Sequence, residues 1–295
     1  MSWIELILSL RCNCRCSICP GALRPDGAGM DRRAIFEHLA RARAEGASGA
    51  WFGGGEPSLH PTLIPAMERA RKLGYSRIRL QTNGLRLAYP RFAERCLQAG
   101  LDQVGLSVKG AGAATHDRLT RVPGGFELLC RAVGHLVALG VEVEAEVLVT
   151  RDNLDELPEC VETFGALGVE RFAFWLVSLH GLPAAAVTHL PGLPELRPHL
   201  EAALDRAGAA GYRAISLHTP PCALGAAHRS AYQHSGTWDL TVVLPDGRSF
   251  PAEQSPMEGG EYPDDLCGLC RARPDCLGLR ADYLEIHGTR GLEPV

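Results

Sequence analysis

Short apolar runs alternate with amphipathic stretches over most of this chain, and no other feature restricts its fold as much. Residues 3–10, 49–52, 77–81, 103–108, 141–149 and 171–179 read as strands, the fifth rich in β-branched residues. Residues 31–44, 61–73, 90–99, 125–139 and 154–167 read as helices, and a sixth follows late, at 193–207. Asp31 is placed to cap the first helix, whose apolar face carries Ile35, Leu39 and Ala42. Gly100, Gly140 and Gly168 stand where helix stops belong. Regular strand–helix alternation implies a parallel sheet with helices outside. Right-handed crossovers curl such a sheet toward a barrel, and six units are fewer than a closed TIM barrel needs. The expected fold is α/β: a partial (β/α)6 TIM-type barrel, open on one side, with a small loop-rich C-terminal cysteine domain. A doubly wound Rossmann-like sheet is the alternative for this alternation taken alone. Domain boundaries are expected at 1–210 for the barrel and 211–295 for the C-terminal region. In that region residues 212–217 suggest one more strand, and 238–250 a hairpin turning at Asp246-Gly247.

Composition excludes several function classes. A formal net charge of -4, with nine acidic residues against four arginines in 251–295, gives no general attraction to nucleic acid, so no nucleic-acid partner is expected. No apolar run reaches the roughly 18 residues of a membrane span. The apolar start at 1–10 carries Glu5 and lacks a basic leader, so it reads as a buried strand and not as a signal peptide. A cytoplasmic location and no membrane partner are the expectation. So is the lack of a leader-peptide domain ahead of residues 1–10.

Eleven cysteines are many for such a chain, and they cluster. Cys12, Cys14, Cys16 and Cys19 crowd the loop after the first strand, while Cys267, Cys270 and Cys276 crowd the tail. In a long chain without a secretory signal this grouping points to metal ligands and not to disulfides. Cys12, Cys16 and Cys19 form C-x3-C-x2-C. Three soft thiolates suit a cluster or zinc, but structural zinc normally takes four ligands in paired units. Three thiolates leave one iron of a [4Fe-4S] cluster without a protein ligand, open to a small molecule. Cys14 reads as a surplus loop thiol. Cys96, Cys130 and Cys160 fall at helical positions and read as core fillers.

The C-x3-C-x2-C loop after a first strand resembles the signature of the radical S-adenosylmethionine (SAM) superfamily. That resemblance implies SAM as the ligand of the open iron. It also implies one-electron cleavage of SAM to a 5′-deoxyadenosyl radical, and hydrogen abstraction from a peptide or small-molecule substrate. An electron donor such as flavodoxin or ferredoxin is implied as a partner. Ile18 stands where the family often has an aromatic residue. Further motifs extend the resemblance. Gly54, Gly55, Glu56 and Pro57, after the second strand, match the family's GGEP loop, whose backbone meets the SAM amino group. Thr82 and Asn83, in Thr82-Asn83-Gly84, match a segment bordering the SAM site; the alternative reading is a simple Asn-Gly turn. Ser107 and Lys109 close the fourth strand as a polar pair at the expected mouth, either as ligand contacts or as a solvated strand end. Thr150, Arg151 and Asn153 follow the fifth strand; they are candidates for contacts to the SAM ribose or carboxylate and equally for capping the next helix, and for Asn153 the cap is the favoured reading. Trp175, Ser178 and His180 end the sixth strand. No catalytic acid, base or hydrogen donor is assigned.

Cys267, Cys270 and Cys276 form C-x2-C-x5-C, and Cys222 offers a fourth thiolate. The spacing resembles half of a SPASM domain or the smaller twitch domain, which implies one auxiliary [4Fe-4S] cluster. Four cysteines in a loop-rich tail suit zinc as well. The chain therefore reads as a radical SAM enzyme with an auxiliary cluster. The alternative is a non-catalytic iron–sulfur electron carrier or a zinc-stabilised interaction module.

Overall fold

The computed structural model describes residues 1–19, 29–182, 184–255 and 257–295. Pro20, which closes the cysteine motif, lies outside the described residues. Ten strands form one sheet: β1 (Trp3–Ile7), β2 (Gly49–Gly53), β3 (Arg77–Thr82), β4 (Gln103–Val108), β5 (Glu142–Val149), β6 (Arg171–Leu176), β7 (Arg213–Leu217), β8 (Tyr232–Gln233), β9 (Leu240–Val243) and β10 (Ser249–Pro251). Strands β1 to β8 are all parallel and follow one another across the sheet in chain order. This monotonic order belongs to a barrel-type sheet and not to a doubly wound one, in which the order reverses at a switch point. β9 adds parallel to the free side of β1, and β10 pairs antiparallel with β9. β8 and β10 are the two edges, so the sheet stays open.

The helices are α1 (Arg32–Ala44), α2 (Leu63–Lys72), α3 (Pro90–Gln98), α4 (Ala113–Thr120), α5 (Gly125–Ala138), α6 (Leu157–Ala166), α7 (Leu193–Ala209), α8 (Asp264–Cys267) and α9 (Ala281–His287). Asp31 caps α1, its carboxylate accepting from Ala34 N at 2.8 Å. α4 is an element that the apolar pattern does not announce; it carries the His116-Asp117-Arg118-Leu119 segment. Among the described residues no helix is long and apolar enough to cross a membrane.

The strands bury their outward side chains against the helices. Ile4 and Leu6 of β1, Phe52 of β2, Ile78 and Leu80 of β3, and Val143, Ala145 and Val147 of β5 belong to this core. The inward face mixes charged and aromatic side chains. β5 alternates from Glu142 to Val147, with Glu142, Glu144 and Glu146 between apolar residues. Arg79 of β3 reaches across to Glu144 and Glu146, at 2.6 and 2.5 Å. Gln81 donates to Glu146 at 2.7 Å. Strands buried on both faces would be apolar throughout, so a lumen of paired charges marks space kept for polar contacts.

Candidate functional site

The C-terminal ends of β1 to β4 carry the first candidate site. Leaving β1, the chain donates from Leu8 N to Gly53 O at 3.1 Å and then turns into the cysteine loop. That loop is fixed from two sides. Arg15 N and Ser17 N donate to Thr120 O and Leu119 O at the end of α4, both at 3.1 Å. Gly55 N and Glu56 N donate to Ser9 O and Arg11 O, both at 2.8 Å. The glycines are required by this contact. Gly54 has φ +123°, and a Cβ there would lie 2.4 Å from Ser9 O; one at Gly55 would lie 2.4 Å from Arg11 O. The GGEP segment therefore packs backbone to backbone on the cysteine loop.

Glu56 is fully buried and acts as a clamp. Its carboxylate accepts from Ser58 N at 2.9 Å, from the Thr82 hydroxyl at 2.7 Å and from Asn83 N at 2.8 Å. Pro57 is buried beside it and opens the short turn Pro57–Leu59. Glu56 and Thr82 thus spend their polar atoms joining the ends of β2 and β3, while Asn83 turns toward the cysteines. Its amide donates to Asn13 Oδ1 at 2.8 Å and to Cys14 Sγ at 3.3 Å.

The thiols of the loop are electrostatically distinct. Cys14 is buried and donates to both neighbours, which drives its own proton affinity up. Cys12 is lowered chiefly by that hydrogen bond. Cys16 is lowered to about 6, by the Cys14 hydrogen bond first and then by the charges of Lys109 and Arg121. Cys19 is half-buried, its N–H 3.4 Å from Cys16 O. Lys109 is buried and its ammonium donates to the Ser107 hydroxyl. Sequence reasoning missed Arg121, which sits in the left-handed region (φ 56°) directly after α4; an arginine following a helix gives no signal of that kind. His116 is a second residue near the loop that the sequence leaves without a role. It is buried, its Nδ1 accepts from Lys109 N at 3.2 Å, and burial followed by the Lys109 charge lowers it to about 4.

Thr150 and Arg151 lie further round the mouth. Thr150 is fully buried and forms a reciprocal cap with Asn153: Thr150 N donates to Asn153 Oδ1 at 2.8 Å. Arg151 pairs with Glu195 at 3.0 Å on the surface. After β7, His218 adopts φ 63°, a conformation uncommon for a non-glycine residue. Its ring lies edge-on to Trp175 at 5.3 Å and contacts Leu176 O and Glu258, at 3.2 and 3.3 Å. Ser178 contacts Asp282 at 3.3 Å. His180 N faces the Ser178 hydroxyl at the same distance.

The second candidate site lies in the C-terminal region. Cys222, Cys267, Cys270 and Cys276 line one small pocket, closed by Pro220, Pro221 and Leu266 among others. Arg197 fixes one side by donating to Cys222 O and Ala223 O, at 3.0 and 2.9 Å. Buried Arg280 fixes the region to the barrel. It donates to Leu176 O at 3.1 Å and Val177 O at 2.6 Å, and pairs with Asp282 at 2.9 Å. Burial, and then the neighbouring thiols, push Cys222 up to about 12, and Cys267 and Cys276 are raised mainly by burial. No disulfide joins the described cysteines. Among the described residues no three His, Cys, Asp or Glu side chains converge closely enough to hold one metal ion.

Comparison with known proteins places this architecture. The profile of the radical SAM superfamily matches residues 6–164, more than half of the chain. The AdoMet-dependent heme synthase of Nitratidesulfovibrio vulgaris is 30% identical over 126 residues, 43% of this chain and 34% of that protein. The PqqA peptide cyclase of Ruegeria pomeroyi is 28% identical over 176 residues, 59% of this chain and 46% of that protein. The chain thus spans between a third and a half of the length of these relatives. Among solved structures, Streptococcus suis SuiB bound to S-adenosylmethionine matches with a TM-score of 0.68 at 16% identity, over 84% of this chain and 59% of SuiB. Native anSMEcpe with bound AdoMet and a peptide matches with a TM-score of 0.65 at 19% identity, over 85% of this chain and 73% of that one. These two likenesses establish the partial-barrel fold. With a family profile spanning the strands that frame the cysteine loop, the chain belongs to the radical SAM superfamily of enzymes.

Proposed function

We propose that this chain cleaves SAM reductively at a [4Fe-4S] cluster held by Cys12, Cys16 and Cys19, and uses the 5′-deoxyadenosyl radical to abstract hydrogen from a peptide or small-molecule substrate. The observation that carries this reading is the loop itself. Three cysteines stand at the mouth of a barrel whose family is established, and two of their thiols are already biased toward the ligating thiolate. Bound there, the cluster would supply an electron and one iron without a protein ligand. The protein would contribute the rest. Gly54 and Gly55 bring backbone against the cysteine loop, Asn83 points an amide at its sulfurs, and Lys109 with Arg121 surrounds it with positive charge. Thr82, Glu56 and Pro57 hold these parts in place, with Ser107, Thr150 and Arg151 as further polar groups on the rim. Flavodoxin or ferredoxin is the proposed class of electron donor.

Cys222, Cys267, Cys270 and Cys276 are proposed to hold an auxiliary [4Fe-4S] cluster, in a SPASM- or twitch-like arrangement. Their shared pocket supports a single site. Four thiolates in one enclosed pocket match the ligand count of a saturated [4Fe-4S] cluster.

The test is direct. Protein reconstituted without oxygen, given dithionite and SAM, is expected to form 5′-deoxyadenosine, measured by mass spectrometry, and Cys16→Ala is expected to form none. Cluster-loaded wild-type protein that leaves SAM intact under these conditions would sink the proposal.

A further inference from the structure

At the other end of the strands the barrel encloses a cavity of about 190 Å³. Trp3, Trp51, Trp175 and Trp238 all line it, and the chain has no other tryptophan. Three of the rings lie together: the Trp238 ring centre is 6.5 Å from that of Trp51 and 6.1 Å, edge-on, from that of Trp175. Arg171 and Arg213 also line the cavity and open strands β6 and β7. The cavity therefore begins at the N-terminal ends of the strands, whereas the cysteine loop follows the C-terminal end of β1.

Two further observations define its chemistry. Trp51 Nε1, Trp175 Nε1 and Arg79 Nε belong to lining residues and are buried without a hydrogen-bond partner. All three are N–H donors, so an acceptor on a bound molecule would satisfy groups that the wall itself leaves unpaired. Arg171 and Arg213 are also neighbours in register. Arg171 is loosely paired, 3.4 Å from Glu142 and 3.8 Å from Glu144, and Arg213 has no ion pair among the described residues. Glu144 is held more tightly by Arg79. Arg213, on the exposed start of β7, thus brings a guanidinium without an ion pair among the described residues to the base of an aromatic chamber.

We propose that this cavity is a ligand site for a planar aromatic ring bearing a carboxylate, with the ring among the indoles and the acid at the Arg171–Arg213 pair. Size agrees, since an apolar cavity of about 150 Å³ already admits benzene. Indoles pack well on aromatic rings, and paired guanidinium groups suit a carboxylate. Aromatic chambers also take cations, but Arg79 already covers Trp51, 4.7 Å from its ring centre, and a second cation would meet three arginines.

Because every tryptophan lies in the wall, tryptophan emission reports occupancy without SAM or turnover. Full-length, cluster-loaded protein would be titrated with phenylpropionate, phenylpropylamine and butyrate. Saturable binding of phenylpropionate is expected, about tenfold tighter than either of the others. Arg213→Gln is expected to weaken it about tenfold, and Arg213→Lys to restore most of the loss. Absence of a saturable change with phenylpropionate would overturn the proposal. So would equal affinity for the amine, or an Arg213→Gln variant that binds like wild type. No SAM is present, so failure here is separate from failure of the cleavage test above.

Discussion

At the barrel mouth the thiols of Cys12 and Cys16 are biased toward ionisation, while in the C-terminal pocket those of Cys222, Cys267 and Cys276 are biased against it. The cause is what surrounds them. The mouth supplies Lys109, Arg121 and a protonated donor, Cys14; the pocket supplies burial and other thiols, relieved at Cys267 by Arg273 alone. A thiolate needs donors or compensating charge, and at the mouth these outweigh burial, whereas in the pocket burial outweighs them. The N-terminal loop therefore favours thiolates through the Cys14 hydrogen bond and, at Cys16, through nearby cations, whereas the proposed C-terminal site would need its metal to stabilise four sulfurs in one pocket. The difference suits the roles proposed for them. A reactive cluster with an open position is held by a charged, partly exposed rim, and a saturated cluster is enclosed by its own ligands.

The largest effects should come from separating the two sites. Cys16→Ala is expected to lower iron from about eight to about four per chain and to abolish 5′-deoxyadenosine formation. Cys270→Ala should lose the complementary iron yet retain SAM cleavage in the absence of substrate. Iron analysis and product quantification on both variants check this. If either variant loses all of its iron, the two regions do not assemble independently and the contrast fails.

Much of the barrel was legible in the chain. Six strand-like runs separated by amphipathic stretches correspond to β1 to β6, and the Asp31 cap and the Asp246-Gly247 turn fall where the residues place them. What was not legible came from tertiary context. That β9 would pair in parallel with β1 cannot be read from its sequence, because strand partners are chosen by packing. The Glu-Val-Glu-Ala-Glu-Val alternation in β5 did carry a signal of a polar lumen, masked by the β-branched residues between the glutamates. The site was readable as motif but not as mechanism. Glu56 looks like a ligand contact in the chain and is a buried clamp in the fold; the left-handed turns at Arg121 and His218 leave no local trace.

The clamps offer a mid-sized test of the same comparison. Glu56→Ala would strip the acceptor from three donors and is expected to destabilise the protein by about 3 kcal/mol in chemical denaturation. Arg280→Gln would weaken the docking of the C-terminal region on β6 and leave Asp282 without its cation, at a cost of about 2 kcal/mol. If the mouth is the more pre-set region, iron retention under chelator challenge should fall at the N-terminal site in the first variant and at the C-terminal site in the second. Uniform loss from both would erase the distinction.

The smallest expected effect concerns His116, which supports the Lys109 backbone behind the cysteine loop. Burial holds its ring neutral, with the folded-state value lowered from 6.5 to about 4. A lowered imidazole favours the folded state while it stays uncharged. Its contribution is therefore complete above pH 6.5 and is lost as pH falls toward 4. Between pH 7.5 and pH 6 the loss should be about 1 kcal/mol. His116→Gln, which cannot take up that proton, should flatten this part of the stability profile in urea titrations at the two pH values. An unchanged slope in the variant would show that the pH sensitivity of the mouth resides elsewhere, and that the polar frame around Lys109 does not depend on a neutral ring.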